Sequence, residues 1–368
     1  MPFARTPADR TPQICCIYTA DGSASRHTTG QPPHLRTGLW RHLASACLLA
    51  SLAACGGGDD TSTSATDTSG TGTSGTTTGT STTSTAGIRC TDSTSVYNAS
   101  ASVKATSTAS WSCSATQRML TANGIPDHEV GTFPSAGNPN TISAQTVSAS
   151  TTLTPSIISA SGTSTKVVGY VLNGVKMDPN TGGTCDNTGT SCSMDGAAGS
   201  WRMEALGQTS FDFGADASNA HVQPSGEYHY HGLPEGYVTK LGKGKAMTLI
   251  GWAADGFPIY ARYGYSTAGD ATSALKVMTG SYRTKTTPDA NRPATSLYPM
   301  GTFLQDYEYV AGLGDLDECN GRTGVTPEFP KGTYHYYATD SYPYIQRCIK
   351  GTAGTSTGNT QMPPPRPA

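Results

Sequence analysis

"PSGEYHYHG", residues 224–232, alternates tyrosine with histidine between a Pro/Gly-containing entry and a closing glycine. Tyrosine favours extended backbone, and successive side chains on a strand point to opposite faces. His229 and His231 therefore share one face, and Tyr228 and Tyr230 take the other. Same-face residues two apart stand about 6 to 7 Å apart along a strand, near enough for two imidazoles to converge on one ion. The pattern returns 106 residues later as "PKGTYHYY", residues 330–337. The same reading sets His335 opposite Tyr334 and Tyr336 and puts Tyr337 on the reverse of the His335 side. A proline between aromatic or Ile residues follows each copy, in "FPIY" at 257–260 and "YPYI" at 342–345. A duplication inside one fold would bring the two strands to related places facing one site. Chance repetition of tyrosine-rich strand sequence is the alternative.

Around these copies, apolar and β-branched runs recur between turn signals. "KVVGYVL" (166–172), "AMTLIGWAA" (246–254), "FPIYARYGY" (257–265) and "TYHYYAT" (333–339) read as strands, separated by Asn173-Gly174, Asp195-Gly196, Asp255-Gly256 and Asn320-Gly321. Two short helices are expected. One follows the Ser114/Gln117 capping pattern into "RMLTAN", and one spans "DATSALKVM" at 270–278. Residues 88–352 form one uninterrupted stretch, so the expectation is a single all-β domain, sandwich-like or irregularly sheet-rich, with a few short helices and disulfides. The Pro-rich residues 353–368 read as a disordered tail.

The N-terminal quarter has a different character. Arg36 and Arg41 precede a ten-residue apolar run, Leu43–Leu52, that ends in Leu-Ala-Ala-Cys55. A membrane span needs about 20 apolar residues, so this run reads as a cleaved signal rather than an uncut membrane helix. It resembles a bacterial lipoprotein signal, which implies cleavage after residue 54 and a lipid on Cys55. Residues 1–34 read as an extension upstream of the true start. Gly56 behind the cysteine points to the outer membrane, facing the periplasm or the cell surface. Residues 56–87 hold only Ser, Thr, Gly, Asp and Ala, so 55–87 reads as a lipidated disordered tether reaching roughly 30 Å. Removing residues 1–54 deletes five basic and two acidic residues and leaves 19 basic against 24 acidic, a balance that excludes a nucleic-acid partner. With the lipidated Cys55 also set aside, six cysteines then remain. They allow 15 pairings, and sequence neighbours are the expected ones because each pair brackets a turn or hairpin: Cys90 with Cys113, Cys185 with Cys192, Cys319 with Cys348.

Histidine is used sparingly and in one place. Outside the leader only His128, His221, His229, His231 and His335 remain, and three of them fall in "HVQPSGEYHYH" at 221–231. Neutral imidazole is the commonest nitrogen ligand of transition metals, and three suffice for a site with an open position. With the cysteines oxidised and the methionines scattered, zinc or copper(II) fits better than copper(I). His221, His229 and His231 are the expected ligands, with His335 or Asp255 completing or supporting the site. Histidines that only hydrogen-bond within a tyrosine-rich sheet, and metal-free acid–base chemistry, are the competing readings. Asp255, Asp315, Asp317 and Glu318 offer oxygen ligands or tautomer-fixing acceptors, although Asp before Gly is more often a turn residue. No CxxC zinc motif is present, no nucleophile elbow or phosphate loop can be argued, and "SALK" at 273–276 lacks the partner motifs of penicillin-interacting enzymes.

Together "GEYHYHG" (226–232), "GWAADGFPIYARYGY" (251–265), "LDECNGR" (316–322) and "GTYHYYATDSYPYIQRC" (332–348) resemble the YHYH family of extracytoplasmic proteins. "DHEVGTFP", "NPN" and "VLNGVKMDP" upstream fit the same pattern. The resemblance makes Tyr228, His229, Tyr230 and His231 the signature, with His221 and Asp255 at adjacent motif positions, and it implies no particular reaction. The second copy ends in Tyr337 where the first has His231, against a symmetrical four-histidine site. Three functions are therefore open: an envelope-anchored copper- or zinc-binding module, a metal-dependent hydrolase or oxidase, and a surface domain whose tyrosines bind a glycan or protein partner.

Overall fold

A computed structural model of the chain describes residues 88–357; the expected signal, lipidated Cys55 and tether, and residues 358–368 of the expected tail, lie outside the described residues. The first sheet is built from sequence of low hydrophobicity in which every second residue turns inward. Strands β1 (Thr91–Asn98), β2 (Ala105–Cys113), β3 (Gln117–Ala122) and β4 (Val147–Thr152) run antiparallel. They bury Ala109, Trp111, Leu120, Ala122, Val147 and Ala149 on one face. The helix expected over 118–123 is instead β3. Ser114 and Gln117 do bond reciprocally, Ser114 N to Gln117 O at 2.9 Å and Gln117 N to Ser114 Oγ at 3.0 Å. That pair closes the β2–β3 hairpin, and the sheet partner outweighs the local cap signal. A disulfide between Cys90 and Cys113 fastens the start of β1 to the end of β2.

Next come β5 (Gly169–Val171) and β6 (Lys176–Met177), joined through Asn173-Gly174, and a small ribbon of β7 (Thr184–Cys185), β8 (Cys192–Ser193) and β9 (Trp201–Arg202), closed by the Cys185–Cys192 disulfide. β10 (Ala220–Val222) and β11 (Tyr228–Tyr230) carry the first histidine motif. Helix α1 (Glu235–Leu241) follows, started at Pro234 and stopped by Gly242 at φ 61°. Its Gly236, Val238 and Thr239 lower helix propensity, and the signal that marks it is the proline at its start and glycine at its end. β12 (Thr248–Ala253) and β13 (Pro258–Ala261) form a hairpin through Asp255-Gly256. β14 (Tyr263–Tyr265) pairs with β15 (Leu275–Val277), and β16 (Tyr282–Thr284) with β17 (Tyr307–Tyr309). The second expected helix is thus a turn and a strand, because Asp270 accepts the backbone N–H of Thr272 at 2.8 Å and commits the segment to a turn. β18 (Gly321–Gly324) and β19 (Thr333–Ala338) carry the second tyrosine-histidine motif. β20 (Thr355–Thr357) pairs with β4, so residues 355–357, expected in the tail, belong to the first sheet. The third disulfide joins Cys319 to Cys348.

The larger sheet has the order β10-β11-β6-β5-β12-β13-β19-β18. That order is a palindrome in pairing as well as in position. Its centre is the antiparallel β5–β12 contact, where Tyr170 faces Trp252. On either side lies a hairpin, then a parallel contact (β6 with β11, β13 with β19), then an outer antiparallel pair. Every residue of β12, β13 and β19 is buried, as expected when both faces of a sheet are covered. The smaller sheet packs on the two central turns. Trp111 Nε1 donates to Leu172 O at 2.9 Å, and the Arg118 guanidinium lies 3.6 Å over the Trp252 ring. Among the described residues no helix is long and apolar enough to cross a membrane.

Gly174 shows how close that packing is. It sits at φ 81°, and a Cβ there would lie 2.3 Å from Ala122 Cβ, whereas Gly242 at φ 61° has nothing within 4 Å. Both glycines should resist alanine for backbone reasons, but Gly174→Ala should cost about 1–3 kcal/mol more than Gly242→Ala in chemical unfolding, from overpacking. Equal costs would mean that the two sheets are not packed through this turn.

Candidate metal centre

The antiparallel register pairs His221 directly with His229, and His231 follows two residues along. All three rings turn to one face. Their centroids are 4.6–4.7 Å apart, nearly an equilateral triangle. His231 Nε2 lies 2.9 Å from His229 Nε2 and 3.0 Å from His221 Nε2. The far nitrogens explain the orientation. His221 Nδ1 is 2.7 Å from Phe213 O and His229 Nδ1 is 3.3 Å from Glu227 O. A carbonyl can only accept, so both rings carry their proton on Nδ1 and aim an Nε2 lone pair inward. His231 Nδ1 makes no hydrogen bond of normal geometry, although the Asp178 backbone acts on the ring as a weak acceptor. If His231 is protonated on Nε2 it can serve one facing lone pair and leaves its own Nδ1 unsatisfied. If it is protonated on Nδ1, three lone pairs face one another. Either way a buried ring nitrogen goes unpaired, and a cation at the centre removes the conflict. The three nitrogens meet the geometric requirement of a common metal site. A tetrahedral ion with bonds of 2.0–2.1 Å would set them about 3.3 Å apart, an opening of a few tenths of an ångström from the present spacing.

Burial favours the neutral rings that a metal needs. His229 and His231 are each 2 % exposed, and desolvation, reinforced by the neighbouring imidazoles, pushes both well below the usual histidine range. His221 is half-buried and is lowered for the same first reason. Lys176, cross-strand from His229, is 2.7 Å from Glu227 and 3.8 Å from Asp178. Arg347 forks onto Glu204, with Nη1–Oε1 at 3.1 Å and Nη2–Oε2 at 3.0 Å, and Arg202 adds a cation near Asp178 and Glu204. Three cations thus balance Asp178, Glu204 and Glu227. Sequence reasoning passed over this ring of paired charges, although "VKMDP" contains two of its members; only folding brings Glu204, Glu227 and Arg347 beside them.

The tyrosines of the motif face the other way and are buried. Tyr228 donates to Asp216 Oδ2 at 2.8 Å, and Tyr230 donates to His128 Nε2 at 2.6 Å while accepting from Asn173 Nδ2 at 3.2 Å. Tyr334 donates to Asp317 Oδ2 at 2.9 Å and Tyr336 to Asp255 Oδ2 at 2.6 Å. None of the four is more than 5 % exposed, so the signature tyrosines present no surface to a polymer. Two expected contributors to the site are placed elsewhere. His335 lies on β19, five strand steps from β11 and so roughly 24 Å along the sheet. Its Nδ1 is 3.0 Å from Thr333 O and its Nε2 is 3.0 Å from Tyr337 Oη. Tyr337 therefore shares the His335 face, as residues two apart must, and the two copies do not face one site. Asp255 is fully buried as a turn residue, its Oδ2 also accepting Gly351 N at 2.9 Å. Asp315 pairs with Lys276, and Glu318 with Lys350.

A sheet-rich, disulfide-bonded domain with three converging histidines is the class that fold and site define. The YHYH protein family model matches residues 142–351, more than half of the chain, and the chain belongs to that family. No curated protein and no solved structure matches it. Residues 88–141, ahead of the matched region, supply β1 to β3 and His128.

His335 is lowered to about 3 by burial. Its ring should stay unprotonated from pH 7 to about 4 when followed by NMR. A depressed pKa contributes stability that is complete above the unfolded value near 6.5 and is lost as pH falls toward the folded value. Buried Asp178, Asp255 and Glu204, whose pKa values are raised, act in the opposite sense. The histidine contribution therefore appears as a shallower acid-side loss in His335→Gln than in the wild type. A His335 signal titrating near 6.5 would refute the buried neutral ring.

Proposed function

We propose that this protein is an extracytoplasmic metal-binding lipoprotein that holds one divalent transition-metal ion, zinc or copper(II), on His221, His229 and His231. The observation that carries the reading is the convergence of three Nε2 atoms, two of them fixed as acceptors by backbone carbonyls on the far side of the ring. Three neutral ligands leave the charge of the ion uncompensated within its own ligand set; the paired charges around it offset one another, and Asp216 adds one carboxylate that acts on His221. Such a site favours hydroxide or an anionic oxygen at its open position, where the ion would act as a Lewis acid. Three disulfides support an oxidising compartment. The Leu-Ala-Ala-Cys55 sequence supports a lipid anchor, and Gly56 supports the outer membrane.

A catalytic reading has one observation in its favour: His221 is half-buried and lies on the edge strand β10, so it is the most exposed of the three ligands. Hydrolysis or oxidation at the open position would depend on the same three ligands. The adhesive reading loses its support with the burial of the tyrosines.

Elemental analysis of untagged protein secreted to the periplasm should find one equivalent of zinc or copper that is absent from a folded His229→Ala, His231→Ala variant. Each single substitution should weaken binding by more than the about 10–100-fold typical of removing an outer-shell partner. Turnover that is lost on chelation and restored by one ion would establish the enzyme. Protein that stays metal-free after reconstitution and dialysis would refute the metal site and the enzyme together.

A further inference from the structure

We propose that the eight-stranded sheet is a duplicated metal-binding unit, and that Arg322, His335 and Tyr337 form the second unit's site, with the Arg322 guanidinium standing where the first unit takes an ion. The proposal rests on the histidine triad being a metal site and adds a claim about a different set of residues.

The two halves agree hydrogen bond by hydrogen bond. Asp216 N donates to Ala220 O and Asn219 N to Asp216 O; Asp317 N donates to Gly321 O and Asn320 N to Asp317 O. Asn219 and Asn320 both sit at positive φ, 56° and 58°. Each of these aspartates accepts the first tyrosine of its motif, and each asparagine carbonyl accepts the backbone N–H of the fourth motif residue, His231 or Tyr337. The residue before the central turn glycine, Asn173 or Asp255, bonds the second tyrosine. Each central histidine lies beside the carbonyl two residues before it, His229 with Glu227 O and His335 with Thr333 O. Register completes the match: Tyr230 pairs with Met177 and Tyr336 with Ile259, while His221 pairs with His229 and Arg322 with His335. Chance repetition of a tyrosine-rich strand does not reproduce loops that are far apart in sequence.

In this frame Arg322 replaces His221 and Tyr337 replaces His231. The chemistry follows from the replacements. His335 Nε2 is an acceptor, because its Nδ1 faces a carbonyl. Tyr337 donates its hydroxyl proton to that nitrogen and accepts from Arg322 Nη2 at 3.4 Å. Arg322 Nη2 also donates to Tyr265 O. The second site therefore holds its own cation and proton donor, and its orphan atom is a donor, Arg322 Nε, rather than an inward lone pair, whereas the first site has two fixed acceptors, His221 and His229, facing His231 and no internal cation. One unit needs an external ion, and the other has made that need internal.

The test is zinc content of the full chain after loading and dialysis. Arg322→His with Tyr337→His should raise the wild-type value from about one equivalent to about two, and should restore about one in the His229→Ala, His231→Ala background. A folded Arg322→His, Tyr337→His protein that gains no zinc over a wild type holding one equivalent overturns the proposal. Wild type without zinc refutes the triad reading instead. Should the variant not fold, the reverse conversion decides. His221→Arg with His231→Tyr in the first unit should give a metal-free protein that melts above metal-free wild type, since a guanidinium then occupies the triad's centre. A melting temperature no higher than that of metal-free wild type overturns the proposal.

Discussion

Four buried tyrosine hydroxyls hold this architecture in place. Leaving a hydroxyl unpaired in the interior costs about 1–3 kcal/mol, so each must find an acceptor or donor within the fold. Tyr228 and Tyr334 find theirs in the loops that lead into the outer hairpins, Asp216 and Asp317. Tyr230 and Tyr336 find theirs at the tips of the central hairpins, Asn173 and Asp255. The two-residue period of a strand then does the rest. With the tyrosines committed to one face, the histidines between them must point to the other, and their convergence follows from the register of β10 on β11.

The site is a neutral object inside a balanced one. Its rings are kept uncharged by burial, and apart from Asp216, which acts on His221, the ionic groups around them come as pairs whose partners offset them. Lys176 illustrates the constraint: it is 3 % exposed, and its pairing with Glu227 at 2.7 Å, with Asp178 at 3.8 Å beside it, makes its burial next to His229 tolerable. Removing either member would leave a lone charge next to the rings and change their basicity without touching them.

Much of this could be read from the chain, for reasons that differ by feature. Alternation of Tyr and His assigns faces without any tertiary knowledge, and Asn-Gly and Asp-Gly mark turns that occur where expected. The three cysteine pairs join neighbours because each closes a local hairpin or loop. Both expected helices failed because capping signals are local, whereas Gln117–Ala122 and Leu275–Val277 are decided by strands that receive them from elsewhere. His335 is expected at the site because repetition in sequence suggests one shared place, and Asp255 because a carboxylate can supply an oxygen ligand or fix a tautomer. The palindromic strand order instead carries the copies to opposite ends of the sheet. No periodicity reports that distance, since it depends on which edge of each central hairpin the outer pair joins.

The position of His221 has a kinetic side. It lies on β10, the outermost strand of its sheet, which pairs on one side only, over three residues. Edge strands open at lower cost than interior ones, and local opening sets the pace of exchange in many folded proteins. An ion held by His229 and His231 from within the sheet and by His221 from its rim would be released when the rim frays. The rate of exchange would then follow the stability of one short hairpin, while affinity follows all three rings. Residence time and binding strength could thus be varied separately in this fold, by changing the loop at 223–227 in the first case and the histidines in the second.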